Sequence, residues 1–321
     1  MNSIEQFGVS RDEIKHAAEL LRRGGLVAFP TETVYGLGAN ALDAKSVERH
    51  FEVKGRPCSS PVIVHVSDRE MIDRVVSSWP DKARILAERF WPGPLTLVVP
   101  KRNTIPDIVT AGLKTVGVRM PAHPVALALI EAGQFPIAAP SANRFAHLSP
   151  TTAEHVRQGL GDRADYILDG GPCRVGIEST VLSLAGEAPI LLRPGGISRQ
   201  QIETLIGAIA SGEQSPPGAH PSPGMHPRHY SPRTPLYLVQ EGEVPAQRRG
   251  AYLQITCPPL REVGEVILMP NDAAEYAARL YSVLHDLDEH GYDWIAVDTP
   301  GPGAHWESVL DRLRRAATDG E

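Results

Sequence analysis

The sequence predicts an α/β protein of two domains, and three observations support this. Helical and strand-like segments alternate over about residues 1–210, as in proteins built on a sheet covered by helices. The segment 211–235 has no periodicity and contains seven prolines and three glycines, which is typical of a linker. A second, shorter alternation occupies residues 236–321.

The first domain is predicted to begin with a helix that Ser10 caps and that ends near Arg23, before Gly24-Gly25. Apolar runs then predict seven strands: Leu26 to Pro30, Pro61 to Val66, Leu95 to Pro100, Val116 to Met120, Pro136 to Pro140, Ser179 to Leu184 and Pro189 to Arg193. Helices are predicted over Pro124 to Ala132 and after three capping boxes, which start at Ser67, Thr151 and Ser198. The last of these helices is predicted to end near Ala210.

The second domain shows the same pattern on a smaller scale. Its strand-like segments are LYLV, AYLQIT, EVILMP and WIAVD. Helices are predicted near Asn271 to Glu289 and near His305 to Ala317. This is a second α/β domain of about 85 residues.

Composition excludes several classes of protein. The net charge of −6 argues against a surface built to hold nucleic acid, which is usually basic. Three scattered cysteines form no CxxC pair, so a zinc ribbon or a disulfide framework is not expected. The first residues lack a secretory pattern and no apolar run reaches about 18 residues, so we expect a cytoplasmic protein that does not contact membranes.

Four polar clusters follow predicted strands or turns, where ligands usually sit in open α/β sheets. Each has an equally simple structural interpretation. PTETVYGLG, Pro30 to Gly38, is either a ligand loop or a polar turn. KGRPCSSPVIVH, Lys54 to His65, either holds phosphate oxygens with Lys54 and Arg56 or only ends a helix.

The other two clusters leave the same choice open. In APSANRFAHLSP, Ser141 and Asn143 are either ligand contacts or part of an Asx turn. In GIESTVLSLAGEAPILLRPGG, Ser179 begins a strand and Arg193 ends the next one. Arg193 and Arg119, which ends VGVRM, suit carboxylate or phosphate binding, although a lone arginine is often a surface residue.

No single motif identifies the reaction. The chain has no Walker A motif, no G-x-G-x-x-G, no HExxH and no G-x-S-x-G. The residues alone therefore indicate an α/β enzyme whose cations and hydroxyls bind an anionic, phosphate-bearing ligand. None of them is an evident activated nucleophile.

In order and spacing, the four clusters resemble the YrdC-like threonylcarbamoyl-AMP synthase family. PGMHPRHYSPRTPL, Pro223 to Leu236, and DRLRRAA, Asp311 to Ala317, resemble the longer, two-domain members. The resemblance implies a catalytic domain at 1–210, a Pro-rich linker that acts as a lid at 211–235, and a Rossmann-like domain at 236–321. It also implies that the catalytic domain is a twisted, open mixed sheet of YrdC type with a concave active-site cleft.

The resemblance further implies a reaction and its residues. L-Threonine, bicarbonate and ATP would give threonylcarbamoyl-AMP and pyrophosphate, with Mg²⁺ accompanying ATP. The signature of the family assigns Lys54, Arg56, Ser141 and Asn143 to catalysis. Threonine would contact Thr33, His65, Arg119, Ala139 and Ser179, and ATP would contact Arg56, Ser60, Thr115, Ser141, Ser149, Arg193 and Tyr230. One departure is that family members often have Asn where Ser60 precedes Pro61.

The implied partner is a tRNA threonylcarbamoyl transferase complex that consumes the product, with at most a weak contact to tRNA itself. Two alternatives remain at this point. A carbamoyl-AMP-forming module would carry further Cys-rich zinc segments, which three scattered cysteines do not support. A non-catalytic double-stranded-RNA-binding module is disfavoured by the acidic chain.

Overall fold

The computed structural model describes residues 4–212, 230–246 and 249–318, and the structural statements below concern these residues. They form two sheets, one of ten strands and one of four. The strands of the larger sheet are β1 (Val27–Phe29), β2 (Gly36–Asn40), β3 (Val64–His65), β4 (Leu95–Pro100), β5 (Thr115–Arg119), β6 (Ile137–Ala138), β7 (Tyr166–Ile167), β8 (Thr180–Ser183), β9 (Ile190–Arg193) and β10 (Ala210–Ser211).

The larger sheet is mixed, as predicted. Its order is β10-β9-β8-β4-β5-β3-β6-β2-β1-β7, with parallel and antiparallel neighbours. Seven helices accompany it: α1 (Arg11–Arg22), α2 (Ala44–Lys54), α3 (Arg69–Val75), α4 (Asp81–Phe90), α5 (Pro124–Gly133), α6 (Ala153–Leu160) and α7 (Arg199–Ile206). Most apolar residues of these helices and of the sheet form one large buried cluster, and a few residues of β4, β8 and β9 form a small second one.

Two of the four predicted N-caps are confirmed and two are displaced by one residue. Ser10 and Ser198 both form complete capping boxes. The helix predicted from Ser67 is instead capped by Asp68, which accepts a hydrogen bond from the Met71 amide at 2.7 Å. A carboxylate is the better acceptor at the positive end of a helix, and Ser67 only donates to Asp68. Likewise Thr152, and not Thr151, caps α6.

The strand β2 was not predicted, because its sequence GLGAN lacks an apolar alternation. Its glycines allow close packing instead. A Cβ on Gly38 would lie 2.9 Å from the Phe29 ring and 3.0 Å from Ile137, so only glycine lets β2 fit between β1 and β6. Part of the PTETVYGLG cluster is therefore explained by packing.

The predicted helix end near Ala210 is wrong. α7 ends at Ile206, and Gly207 follows with φ 79°, a left-handed conformation that glycine adopts without strain. Ala210 and Ser211 then form β10 parallel to β9. A short strand at the edge of the sheet therefore occupies part of the segment that was predicted to be the last helical turn.

The smaller sheet is entirely parallel, in the order β11-β14-β12-β13. Its elements are β11 (Leu236–Val239), β12 (Gly250–Gln254), β13 (Glu265–Leu268), α8 (Ala273–Glu289), β14 (Trp294–Asp298) and α9 (Glu307–Ala316). A parallel sheet with crossover helices agrees with the predicted second α/β domain.

The two domains share an apolar cluster. Val34, Leu148 and Ile177 of the first domain are buried together with the side chains of α8 and α9, and Tyr230 joins the same cluster. The C-terminal domain therefore packs directly beside the loops that carry the predicted site. No helix among the described residues is long and apolar enough to cross a lipid bilayer.

Candidate active site

A cavity lies where the polar clusters meet, at the ends of β1, β3, β5, β6 and β9 and before β8. Its wall is formed by Thr31, Thr33, Val34, Gly36, Arg56, Ile63, His65, Arg119, Ala139, Pro140, Ser141, Glu178, Ser179, Arg193 and Tyr230. The sequence-predicted residues come together here from six separate parts of the chain.

All five residues predicted to bind threonine line this cavity. The Thr33 hydroxyl accepts a hydrogen bond from Nη1 of Arg119 at 3.0 Å. The hydroxyl of Ser179 shares a hydrogen bond of 2.8 Å with Thr96. His65 and Ala139 complete the set, from β3 and from the residue after β6. Together these five residues offer two hydroxyls, one guanidinium, one imidazole and the small side chain of Ala139.

Arg119 is held by a carboxylate that sequence reasoning did not single out. Its Nη2 lies 2.7 Å from Oε1 of Glu32, and its Nε donates to the Gly93 carbonyl at 3.2 Å. Glu32 also accepts from the Ala122 amide at 2.9 Å. Both side chains are buried, so the guanidinium is fixed in one orientation. Glu32 lies within the PTETV motif, which was the available signal.

His65 is neutral in this setting. Burial lowers its pKa to about 3, and the charge of Arg119 acts in the same direction. Its ring stands edge-on to Phe29, with the centroids 6.1 Å apart. Its buried Nδ1 has no hydrogen-bond partner among the described residues. A neutral imidazole facing the cavity can therefore offer hydrogen bonds to a ligand without adding charge.

Two buried arginines form the cationic side of the cavity. Arg56 and Arg193 are 6% and 4% exposed, so the surface interpretation of Arg193 is wrong. Arg56 donates from Nη2 to the Ser60 hydroxyl at 2.6 Å and to the Pro61 carbonyl at 2.9 Å. Burial lowers the pKa of Arg56 to about 10, with a further contribution from Arg193. Two like charges buried near each other favour an anionic ligand.

Arg193 is oriented by its neighbours. Its Nε and Nη2 donate to the Ser179 carbonyl at 3.1 and 3.0 Å, and its Nη1 lies 3.4 Å from the Tyr230 hydroxyl. Tyr230 is 1% exposed and has a left-handed backbone with φ 62°. Such a conformation is uncommon outside glycine and is often found at functional sites.

Lys54 and Asn143 lie outside the cavity wall. The ammonium of Lys54 donates to the carbonyls of Ser141, at 2.5 Å, and of Asn143. Asn143 accepts from the Ser141 hydroxyl at 2.5 Å and donates to the Arg144 and His147 carbonyls. The Lys54 and Asn143 pair thus braces the loop that presents Ser141 to the cavity. Their assignment to catalysis stays a prediction, and the geometry gives them a positioning role.

Three residues predicted to contact ATP also lie outside the wall. Ser60 accepts a hydrogen bond from Arg56 and so helps to orient that guanidinium without lining the cavity. The Ser149 hydroxyl donates to Glu178 at 2.5 Å. Thr115 begins β5 opposite Pro100, at the end of the strand away from Arg119. Direct contact of these three with ATP stays a prediction.

Sequence reasoning missed a buried group that joins the two domains. Glu178, in the GIEST motif, lines the cavity and is bonded to Tyr281 of α8 and Arg312 of α9. Burial raises the pKa of Glu178, but the charges of Arg312 and Arg193 outweigh burial and hold that pKa below its usual value. Arg312 lies in the tail DRLRRAA, which the sequence indicated only as a family feature.

A pair of histidines also crosses between the domains. His155 of α6 and His285 of α8 are stacked, with ring centroids 3.9 Å apart. His285 Nε2 lies 3.1 Å from the Ser149 carbonyl, behind the site. Burial lowers the pKa of both imidazoles to about 4, so both are neutral at pH 7.

Acid should weaken the folded state through this stacked pair. The pKa values are depressed on folding, so the unfolded chain binds more protons between about pH 6.5 and pH 4. The contribution of the two histidines to the free energy of unfolding is therefore complete above about pH 6.5 and is lost as the pH falls toward about 4. Urea unfolding at pH 7 and pH 5 should show that His285→Gln removes about 2 kcal/mol of the pH dependence. An equal pH dependence in variant and wild type would contradict this.

Among the described residues, no three His, Cys, Asp or Glu side chains come together in a way that would hold a metal ion. The two carboxylates in or beside the cavity, Glu32 and Glu178, are each paired with an arginine. The described part of the chain therefore offers no dedicated metal cage at this place.

Comparisons with known proteins cover almost the whole chain. Residues 19–195 match a family model described as telomere recombination, and residues 197–318 match one described as the threonylcarbamoyl-AMP synthase C-terminal domain. Threonylcarbamoyl-AMP synthases of Pyrococcus abyssi and Bacillus subtilis are each 42% identical to the chain. The alignments span 95% and 98% of this chain and 94% and 95% of those proteins. The crystal structure of P. abyssi Sua5 complexed with L-threonine superimposes with a TM-score of 0.89 at 40% identity, covering 96% of this chain and 95% of that one.

Proposed function

Because the chain belongs to the threonylcarbamoyl-AMP synthase family, we propose that it converts L-threonine, bicarbonate and ATP into threonylcarbamoyl-AMP and pyrophosphate. The observation that carries this proposal is a single cavity whose wall combines hydroxyls, a neutral imidazole and three buried arginines. We assign Arg119, with the hydroxyls and the imidazole, to a threonine side, and Arg56 and Arg193 to a phosphate side.

The chemistry fits the absence of an evident nucleophile. The threonine amine adds to bicarbonate with loss of water, and the resulting carbamate is itself the nucleophile. One carbamate oxygen then forms a bond to the α-phosphorus of ATP while the bond to pyrophosphate breaks. The protein therefore has to orient the carbamate and stabilise charge on the phosphoryl oxygens.

The residues divide these tasks. Arg56 and Arg193 would bind the phosphoryl oxygens, and Ser141 would add a hydroxyl from the loop that Lys54 braces. Arg119, fixed by Glu32, would bind the threonine carboxylate beside Thr33 and Ser179. All of these side chains except Ser141, which is half-buried, are buried, and this limits the access of water, which would otherwise decompose the carbamate and the mixed anhydride.

Tyr230 supports the proposed lid role of the linker. The cavity volume is about 50 Å³, whereas pockets for ligands of drug size occupy about 300–1,000 Å³. We infer that Tyr230, which forms part of the wall, moves when ATP binds. The residues 213–229 of the proposed lid lie outside the described residues.

We propose that Mg²⁺ arrives as part of MgATP. Mg²⁺ is commonly held by substrate phosphates and water with few protein ligands, and the chain supplies no cage for it among the described residues. Consumption of the product by a tRNA-modifying transferase complex, weak contact with tRNA and a cytoplasmic location also stay proposals. They rest on the family and on the sequence.

Synthesis should depend on bicarbonate and should favour threonine over valine. Valine keeps the branched shape of threonine but lacks the hydroxyl, so it cannot form the hydrogen bond that this hydroxyl would make to the polar wall of Thr33, His65 and Ser179. Sites built to bond a substrate hydroxyl discriminate strongly against the analogue that lacks it. The measurement is pyrophosphate release with each amino acid, together with transfer of label from bicarbonate into a nucleotide adduct.

Equal turnover of threonine and valine would overturn the substrate assignment. Pyrophosphate release without incorporation of labelled bicarbonate would overturn the reaction itself. Binding of tRNA on filters without any adduct would support the alternative of an RNA-binding module.

A further inference from the structure

A buried ion pair connects the second domain to the wall of the cavity. Nε of Arg312 lies 2.7 Å from Oε2 of Glu178, and the side chains are 0% and 7% exposed. Glu178 itself lines the cavity, together with Ser141, Ser179 and Tyr230. The C-terminal domain thus contributes a charge directly behind the site.

The pair is fully embedded in hydrogen bonds. Glu178 accepts from the Ser149 hydroxyl at 2.5 Å and from the Tyr281 hydroxyl at 3.2 Å. Arg312 also donates to the Pro194 carbonyl at 3.0 Å and pairs with Asp311. Buried ion pairs hold one geometry when their remaining groups are satisfied in this way.

A carboxylate in this position would weaken the binding of an anion in the cavity. At the short distances within a cavity, a negative charge repels phosphate, and screening by water is weak when the groups are buried. Glu178 is also close enough to Arg193 for the charge of Arg193 to lower the pKa of Glu178. Burial, which raises that pKa, and Arg312, which lowers it, have larger effects. Deprived of Arg312, the carboxylate would be left to compete with a phosphate for Arg193.

Arg312 also contacts Tyr230, the second group that lies beside Arg193. Its guanidinium carbon lies 5.1 Å from the ring centroid of Tyr230, whose hydroxyl is 3.4 Å from Nη1 of Arg193. Arg312 therefore touches two of the groups that surround Arg193, and both contacts originate in the C-terminal domain.

We propose that Arg312 is a positioning residue of the nucleotide site, which neutralises Glu178 so that Arg193 can bind the phosphates of ATP. This rests on the proposed function, because it requires that the cavity binds ATP. It gives the C-terminal domain a defined electrostatic task in addition to packing.

The test breaks the same ion pair from each side in the full-length chain. Arg312→Met keeps an apolar side chain against Tyr230 and leaves Glu178 without its main counter-charge. It should raise the KM for ATP about tenfold and leave the KM for threonine unchanged. Glu178→Gln removes the negative charge and should lower the KM for ATP. If the ion pair were only structural, Arg312→Met and Glu178→Gln would change the KM for ATP in the same direction.

Two further variants sharpen the result. The double variant Glu178→Gln/Arg312→Met contains neither charge and should bring the KM for ATP back toward wild type. Arg279→Met removes an exposed arginine from the same domain and serves as the charge control. Circular dichroism confirms folding, and Arg312→Gln, which keeps a donor toward Glu178, replaces Arg312→Met if the latter does not fold.

A pH profile gives an independent readout. Burial raises the pKa of a carboxyl group, so in Arg312→Met we expect Glu178 to take up a proton at a higher pH than in the wild type. The excess in KM for ATP should therefore shrink as the pH falls, and the double variant should show no such change. Equal KM values in folded Arg312→Met and wild type, or no recovery in the double variant, would overturn the proposal. If the wild type forms no adduct, the proposed function has failed instead.

Discussion

A chain that ends at Gly212 should lose nearly all threonylcarbamoyl-AMP synthesis. The truncation keeps β10 but removes Tyr230 from the cavity wall and Arg312 from behind Glu178. It also uncovers Val34, Leu148 and Ile177, which are buried against the second domain. The measurement is adduct yield from labelled bicarbonate, compared with full length at equal concentrations of folded protein.

A chain that ends at Pro235 tests the effect of the proposed lid without the C-terminal domain. It restores Tyr230 but not Tyr281 or Arg312, whose side chains pack against the Tyr230 ring. We therefore expect only slight recovery, because the aromatic ring has lost the surface that holds it. Tyr230→Ala in the full-length chain gives a second measurement that does not depend on the folding of a fragment. Full activity in the Gly212 truncation would show that the second domain and Tyr230 are dispensable.

The threonine side of the site was predictable because its residues lie at the ends of strands that the sequence marks locally. Thr33 follows β1, His65 ends β3 and Arg119 ends β5, each after a short apolar run. Since β3 and β5 are parallel, their carboxyl ends meet at one edge of the sheet, and local patterns suffice to bring His65 and Arg119 together. Thr33 joins them through the loop after β1, which runs opposite to β3.

The remaining features depend on contacts that no local pattern records. The side chain of Lys54 turns toward two carbonyls of the Ser141 loop, 87 and 89 residues away, and not toward the cavity. Arg312 meets Glu178 across 134 residues. The motif located these residues, but only tertiary packing decides whether a cation faces the ligand, a carbonyl or another charge.

The strand β2 illustrates the same limit for the fold. GLGAN has low strand propensity, and it is a strand because Gly38 fits against Phe29 between two neighbours. Capping was predictable where one serine stood alone, as at Ser10. It was displaced where a second capping residue followed directly, as at Ser67 and Asp68.

Replacing Arg56 or Arg193 with alanine should reduce the use of ATP about ten- to a hundredfold. Each guanidinium offers a charge-assisted contact worth roughly 1.5–3 kcal/mol, and about 1.4 kcal/mol corresponds to a factor of ten. The effect should appear in kcat/KM for ATP and in pyrophosphate release. Both side chains are buried, so some loss of stability is also expected, contrary to what an exposed arginine would give.

Arg199→Ala is the matched control for this loss. Arg199 lies six residues after Arg193 and bonds to the Ile209 carbonyl and the Ser211 hydroxyl, away from the cavity. It should keep the ATP kinetics of the wild type, while Arg56→Ala and Arg193→Ala do not. Arg193→Lys tests geometry separately from charge, because an ammonium lacks the planar fork that grips phosphate oxygens and the Ser179 carbonyl together. Wild-type ATP kinetics in folded Arg193→Ala would remove this residue from the phosphate side of the site.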